Sequence, residues 1–360
     1  STQGYSSAAS DVYKRQGCNA MASIKDIAKL CGVSVATVSK ALNDKADISE
    51  DTKQHIKQVA KQMGYVPQYY ARAIRTNKSY NIGVLFMDDA NCGLTHDYFS
   101  SILNSFKVTA EAKGYDITFI NSNQPHDKHK TYLEHCRYRG LDGVMIACID
   151  FDNQDVEALI NSDIPVVTVD RTYPDTNTMS VLSDNASGMK ELVEYIISQG
   201  HKRIAYLSGE TSAVTSERVT SYQNVMLEHG LDIPPEYHIS TEYRNLTAAR
   251  QYTRQLLSLP TPPSCIIYQD DYSAVGGMET IRDMGLSIPE DISVAGYDDI
   301  FIASQLRPRL TTVHQDTEVI GRIAAEKLIS LIEHKRGCSY KPVIVDSCLE
   351  KGESVKPYTE

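Results

Sequence analysis

The feature that most limits what this chain can fold into is an alternation that runs twice through its larger part. Short apolar runs at 81–87, 116–121, 143–147 and 165–169 are separated by helix-length amphipathic stretches at 100–113, 128–139 and 155–161. The rhythm returns with runs at 203–208, 265–268 and 292–297 among helical stretches at 186–199, 217–229, 247–259 and 273–284, and a last helix spans 316–333. Short, wholly apolar runs fit strands buried on both faces. Strands alternating with helices build parallel sheets with helices on both sides. Two such units of similar size predict an α/β body of two lobes around a cleft. The first lobe is expected over 80–182 plus 311–341, the second over 183–310 plus 342–350.

Ligands of open parallel sheets bind beyond the carboxyl ends of the strands, so the polar residues just past each strand are the candidates. These are His96, Asp97 and Tyr98 after the first strand, Asp170 and Arg171 after Val169, Asp270 and Asp271 after Tyr268, and Asp298 and Asp299 after Tyr297. Arg218 is expected to head a second-lobe helix. Carboxylates accept several hydrogen bonds each and guanidinium donates several, which suits a ligand rich in hydroxyls, such as a sugar. Any single Asp at a strand end could equally be a helix cap. Their recurrence after successive strands favours a site.

The region before the body is different. Ile24, Ile27, Ala28 and Leu30 mark a first helix capped by Ser23, and Gly32 permits a tight turn. Ser34 opens a second helix carrying Val38, Ala41 and Leu42. A third runs over 49–63, with Ile56, Val59, Ala60 and Met63 on one face, and is stopped by Gly64 and Pro67. Two short helices joined by a Gly turn and closed by a third form a helix-turn-helix, whose second helix enters the major groove. Ser34, Val35, Ala36, Thr37, Ser39, Lys40 and Asn43 are then the residues that would meet DNA. The small side chains allow close approach, the hydroxyls suit phosphates and Lys40 suits phosphate or guanine. A plain three-helix packing module is the competing reading. The segment 68–75 that follows, QYYARAIR, is basic and too short for a stable isolated helix. It is either a linker or a segment that folds on DNA. In the second case Ala71 packs against a symmetry mate, Ile74 wedges the minor groove and Arg72 and Arg75 reach phosphates.

Charge separates head from body. Between Met21 and Tyr80 ten Lys and Arg face five Asp and Glu, a net +5, whereas the whole chain carries −10. A basic head on an acidic body places the anionic partner at the head. The 360 residues exceed one ordinary domain. We divide them into a leader at 1–20, a head at 21–67, a linker at 68–79 and the body at 80–360. The leader lacks apolar periodicity, and its DVYKRQ resembles translated adaptor sequence, so it is expected to be non-native. No apolar run reaches membrane-spanning length. The eight cysteines are scattered without a C-x-x-C pair, which points to free thiols in a reducing, cytoplasmic setting rather than to zinc or disulfides. No metal or cofactor is expected. No phosphate-binding loop, nucleophile elbow or H-E-x-x-H occurs, so no enzyme is expected either.

IKDIAKLCGVSVATVSKALN followed by GYVPQYYARAIRTNKS resembles the lactose/galactose repressor family of bacterial transcription regulators. IPVVTVDR, SDNASG, GHKRIAYLSG, ISVAGYDD and LTTVHQD resemble that family's effector domain, which is similar to periplasmic sugar-binding proteins. The likeness runs from about Ser23 to the end. It implies that Val35, Ala36 and Lys40 choose the operator and that Ala71 and Ile74 belong to a hinge helix in the minor groove. It also implies that Asp170, Arg218, Asp270, Asp298 and Gln315 line the effector cleft, with Tyr243 near an aromatic platform. Gln68 stands where the family has Asn, Ile74 where it has Leu, Asp270 where it has Asn and Ser221 where Gly is common. The resemblance places part of a dimer interface on the first lobe. No leucine heptad follows Glu333 to build a tetramer. The expected protein is thus an effector-responsive repressor of carbohydrate-use genes, bound to palindromic double-stranded operator DNA as a homodimer on the nucleoid, away from membranes. The alternative is a sugar-binding protein without a regulatory role.

Overall fold

The computed structural model describes residues 23–65, 78–87, 93–120, 131–174, 176–333 and 340–359. They belong to two compact units that divide between Ser79 and Tyr80. The leader at 1–20 and the linker residues Ala71, Arg72, Ile74 and Arg75 lie outside the described residues.

The head is three helices, α1 (Ile24–Cys31), α2 (Val35–Leu42) and α3 (Glu50–Gln62). Ser23 and Asp26 form a reciprocal capping box at the start of α1, and Gly32 ends it in the left-handed region at φ 63°. Ser34 caps α2 by accepting from the Thr37 amide at 3.0 Å. Ile27, Val38, Ala41 and Ile56 are wholly buried where the three helices meet. Each large aliphatic side chain buried there stabilises the head by roughly 1.5–3 kcal/mol. Leu30, on the expected apolar stripe, instead is 65% exposed.

The body opens with β1 (Asn81–Phe86), α4 (Asp97–Ala112), β2 (Asp116–Phe119), α5 (Tyr132–Arg139), β3 (Gly143–Ala147), α6 (Gln154–Ile160), β4 (Val166–Val169) and β5 (Thr178–Ser183). It continues with α7 (Asn185–Ser198), β6 (Ile204–Ser208), α8 (Ala213–Glu228), β7 (His238–Ser240), α9 (Leu246–Leu257), β8 (Cys265–Tyr268), α10 (Asp271–Asp283) and β9 (Ser293–Ala295). The chain closes with α11 (Phe301–Gln305), β10 (Thr312–Gln315), α12 (Thr317–Glu333), β11 (Val343–Val345) and β12 (Ser347–Glu350).

The first lobe is a parallel sheet in the order β11-β5-β4-β3-β1-β2, and the second is a parallel sheet in the order β7-β6-β8-β9. The expected parallel α/β layers are therefore present. The α4 and α12 helices pack together over one face of the first sheet, with Ile102, Phe106, Ile320, Ala324 and Leu328 in its core. Gly321 permits that approach, since a Cβ there would meet the Ile102 carbonyl oxygen at 2.3 Å.

The chain passes between the lobes three times, after β5, after β10 and after β11. The last two passages fall later than the expected 311 and 342. The reason is that β10 and β12 pair with each other antiparallel, and Val313 and Leu349 pack on the second core. Val343–Val345 meanwhile extend the first-lobe sheet beside β5. The final residues return to the second lobe, where the Tyr358 ring stacks on His201 at 5.1 Å. Among the described residues no helix is long and apolar enough to cross a membrane.

Candidate functional site

A cleft of ≈ 860 Å3 opens between the two lobes of the body. Its walls are the segments that follow β1, β3 and β4 in the first lobe and β6, β7, β8 and β9 in the second, with Gln315 at the end of β10. Backbone conformation independently marks these strand ends. Cys148, Asp170, Arg244 and Asp298 all line the cleft and all have positive φ, at 51°, 64°, 56° and 107°. Such conformations are costly for residues other than Gly and concentrate at functional sites.

Arg218 is the centre of the second-lobe wall. It lies in the second turn of α8, which begins at Ala213 under a Ser212 cap, so it does not head the helix as expected. Its side chain is 4% exposed. Nε donates to Asn185 Oδ1 at 2.8 Å and Nη1 to the Gln269 carbonyl at 3.3 Å. The guanidinium lies 3.6 Å from the centre of the Tyr297 ring and its Nη2 is 3.9 Å from Asp298 Oδ1. The charge is thus held over an aromatic face and aimed by fixed acceptors.

Around it stand other acceptors. Gln315, at the end of β10, donates to Asp298 Oδ1 at 2.6 Å. Burial pushes the Asp298 carboxyl up to about 7, although Arg218 works in the opposite direction. On the first-lobe wall, burial likewise pushes Asp170 up to about 6. The Tyr98 hydroxyl sits 3.5 Å from Asp170 Oδ2 and 3.4 Å from Ser183 Oγ. Tyr243 pairs with Thr215 Oγ1 at 2.9 Å. Its ring lies directly on Gly209, where a Cβ would approach to 2.1 Å. The glycine lets the ring lie down and form the cleft floor.

Of the nine expected effector residues, His96, Tyr98, Asp170, Arg218, Tyr243, Asp298 and Gln315 line this cleft. Asp97 and Asp270 do not. Asp270 is buried behind the wall as the cap of α10, accepting from the Ser273 amide at 2.7 Å and the Arg244 amide at 2.9 Å. Asp97 opens α4 and pairs with Arg244 at 3.0 Å. Arg171 reaches the rim and pairs with Asp152. Asp271 turns inward to accept from Thr312 and Ile300, and Asp299 pairs with His314. Sequence reasoning missed Arg244, Tyr272, Phe99 and Phe151 on the walls. Tyr272 directly follows the Asp270–Asp271 pair that had been singled out. Arg244 follows β7, a strand of three residues with no period to show it. No group of His, Cys, Asp and Glu among the described residues is arranged to hold a metal ion.

In the head, Ser34, Val35, Ala36, Lys40 and Asn43 are exposed on and around α2, while Thr37 and Ser39 are half-buried. Two of the hydroxyls are engaged locally, Ser34 Oγ with Thr37 Oγ1 at 2.9 Å. Lys40 pairs with Asp47, and Lys57 with Asp44, across the turn between α2 and α3. Asn43 donates to the Ser39 carbonyl at 2.6 Å, closing the end of α2.

A helix-turn-helix head and a two-lobed cleft on one chain define a ligand-binding transcriptional regulator. Residues 23–68 match the family model described as bacterial regulatory proteins, lacI family, and residues 193–355 match a periplasmic binding protein-like domain. The chain is 34% identical to the probable HTH-type transcriptional repressor ExuR of Bacillus subtilis (strain 168), over 87% of its own length and 92% of that protein's. It is 29% identical to the HTH-type transcriptional repressor PurR of Vibrio cholerae, over 88% and 93%. Its fold is similar to the lac repressor dimer bound to operator and the anti-inducer ONPF, with a TM-score of 0.80 at 23% identity over 93% and 99% of the two chains. It is also similar to the transcriptional regulator CelR in complex with cellobiose, with a TM-score of 0.67 at 22% identity over 92% and 99%. The chain belongs to the lacI family of bacterial regulatory proteins and is a DNA-binding transcriptional regulator.

Proposed function

We propose that this regulator is a repressor that binds a palindromic operator as a homodimer and responds to a sugar or sugar derivative held in the cleft. The supporting observation is the convergence of Tyr98, Asp170, Arg218, Tyr243, Asp298 and Gln315, from both lobes, on one cleft. Such a set offers charged donors and acceptors at fixed angles, which is what a polyhydroxylated ligand needs. Phe99, Phe151 and Tyr272 add flat faces for the C–H side of a ring. Relatives named as repressors and a fold neighbour solved with cellobiose favour the same reading. In the head, Val35, Ala36 and Lys40 would meet base edges, with Ser34, Thr37, Ser39 and Asn43 at the backbone. Ala71, Arg72 and Ile74 would form the minor-groove hinge. Regulation follows if the effector binds one arrangement of the two lobes better than the other.

The test is a thermal-shift screen of sugars and sugar acids on the full chain, followed by gel shifts on a palindromic site. Arg218→Ala is expected to abolish stabilisation by the hit and leave operator binding in its absence intact. Ile74→Ala is expected to weaken operator binding and leave the thermal shift unchanged. A hit whose stabilisation survives Arg218→Ala would remove the cleft from the proposal.

A further inference from the structure

Arg244 follows β7 in the second lobe, and Asp97 opens α4 in the first. Arg244 Nη1 lies 3.0 Å from Asp97 Oδ2, so this ion pair joins the two lobes directly. Exposed ion pairs usually contribute little, because two long side chains must be ordered to make them. This one differs in how much is ordered beforehand. The Arg244 side chain is 8% exposed, although that of Asp97 is 48% exposed. Its guanidinium lies 4.4 Å from the centre of the Tyr272 ring. Its backbone holds a φ of 56°, and its amide donates to Asp270 Oδ2 at 2.9 Å. Asp270 is itself fixed by the Ser273 amide and hydroxyl, at 2.7 and 3.0 Å. Asp270, the buried carboxylate expected in the cleft from its strand-end position and the family resemblance, thus sets the Arg244 backbone from behind. The short Asp97 side chain has little rotamer freedom to lose.

We propose that Arg244 and Asp97 form an interlobe latch that ties the two lobes together beside the cleft and favours the lobe arrangement in which they meet. Arg244 is a positioning residue in this role: it acts on the lobe arrangement whatever ligand the cleft accepts.

The test is amide hydrogen exchange on the full-length, ligand-free protein with Asp97→Asn, Arg244→Gln and the double variant. Asp97 also sits in the first turn of a helix, where its charge is favourable without any partner. The double variant separates that effect from the pairing. Exchange across the facing cleft segments 150–152 and 211–213 is expected to rise roughly two- to ten-fold in each single variant, and no further in the double. Protection of the two sheets is expected to stay as it was. Unchanged cleft exchange, or a double variant equal to the product of the singles, would overturn the latch. So would a rise spread evenly through both cores, since the pair would then support the fold and not the lobe arrangement. None of these outcomes bears on whether the cleft takes a sugar, which the ligand screen decides.

Discussion

At the residue scale, the cleft carboxylates make the ligand-free protein sensitive to pH in a direction opposite to that of most acids. Burial raises Asp170 to about 6 and Asp298 to about 7, above the roughly 3.9 of an unfolded Asp. Each of these two carboxyls therefore holds more proton in the folded chain than in the unfolded one between about pH 4 and its own folded value, and its contribution to stability falls as pH rises through that window, against the opposite contribution of His201, which burial lowers to about 4. Asp170→Asn removes one such group, and Asn tolerates the left-handed backbone there. The variant is expected to match the wild type near pH 3.5 and to gain roughly 1–2 kcal/mol at pH 8, the carboxylate being partly exposed. Denaturant melts of ligand-free protein across that range read it, and an unaltered pH slope would count against a buried charge at Asp170. Gly209→Ala is a second residue-scale case. The added methyl displaces the Tyr243 ring, which is the flexible partner of that contact. Ligand stabilisation is expected to fall at least about ten-fold in apparent affinity while the ligand-free melting point moves little. A large drop in that melting point would show that the ring holds the lobe and not the cleft.

At the element scale, capping and close approach set the stability of individual helices. Ser34→Ala removes the acceptor for the Thr37 amide and is expected to destabilise the head by about 1 kcal/mol. Faster hydrogen exchange confined to α1–α3 would report it; an effect spread into the body would contradict the division at Ser79. Gly321→Ala places a methyl against the Ile102 carbonyl, a backbone atom that cannot turn aside. Overpacking there is expected to cost roughly 1–3 kcal/mol and to lower the melting temperature of the body. Elements of this kind were legible where the period was long. The helices from Ile24 to Gln62 and the strand Cys265–Tyr268 are where their apolar spacing puts them. The strands Thr178–Ser183, His238–Ser240, Thr312–Gln315, Val343–Val345 and Ser347–Glu350 were not read: Val343–Val345 is apolar but only three residues long, and the others interrupt their apolar residues with hydroxyls, His, Gln, Cys or Glu. In the cleft, strand-end position found Asp170 and Asp298. It could not show that Asp270 turns away to cap α10, since a cap and a ligand group use the same side chain.

At the scale of the whole molecule, the charge asymmetry between head and body makes DNA binding strongly dependent on salt. A head making six or more phosphate contacts per operator complex is expected to lose on the order of a thousand-fold in affinity between 50 and 200 mM salt. Gel shifts across that range test it, and a flat response would rule out phosphate-dominated binding. The threefold passage of the chain between the lobes has a mechanical meaning of its own. A single tether would let two bodies swivel about it freely. Three passages side by side form a hinge line, which bends easily across its width and resists bending within its own plane. Bending about that line is then expected to be the softest relative motion of the lobes, and a signal leaving the cleft is expected to travel through it. The same arrangement makes the body tolerant of a cut. A backbone severed after β10 or after β11 puts β10 and β12 on separate polypeptides, and their antiparallel pairing then spans the break.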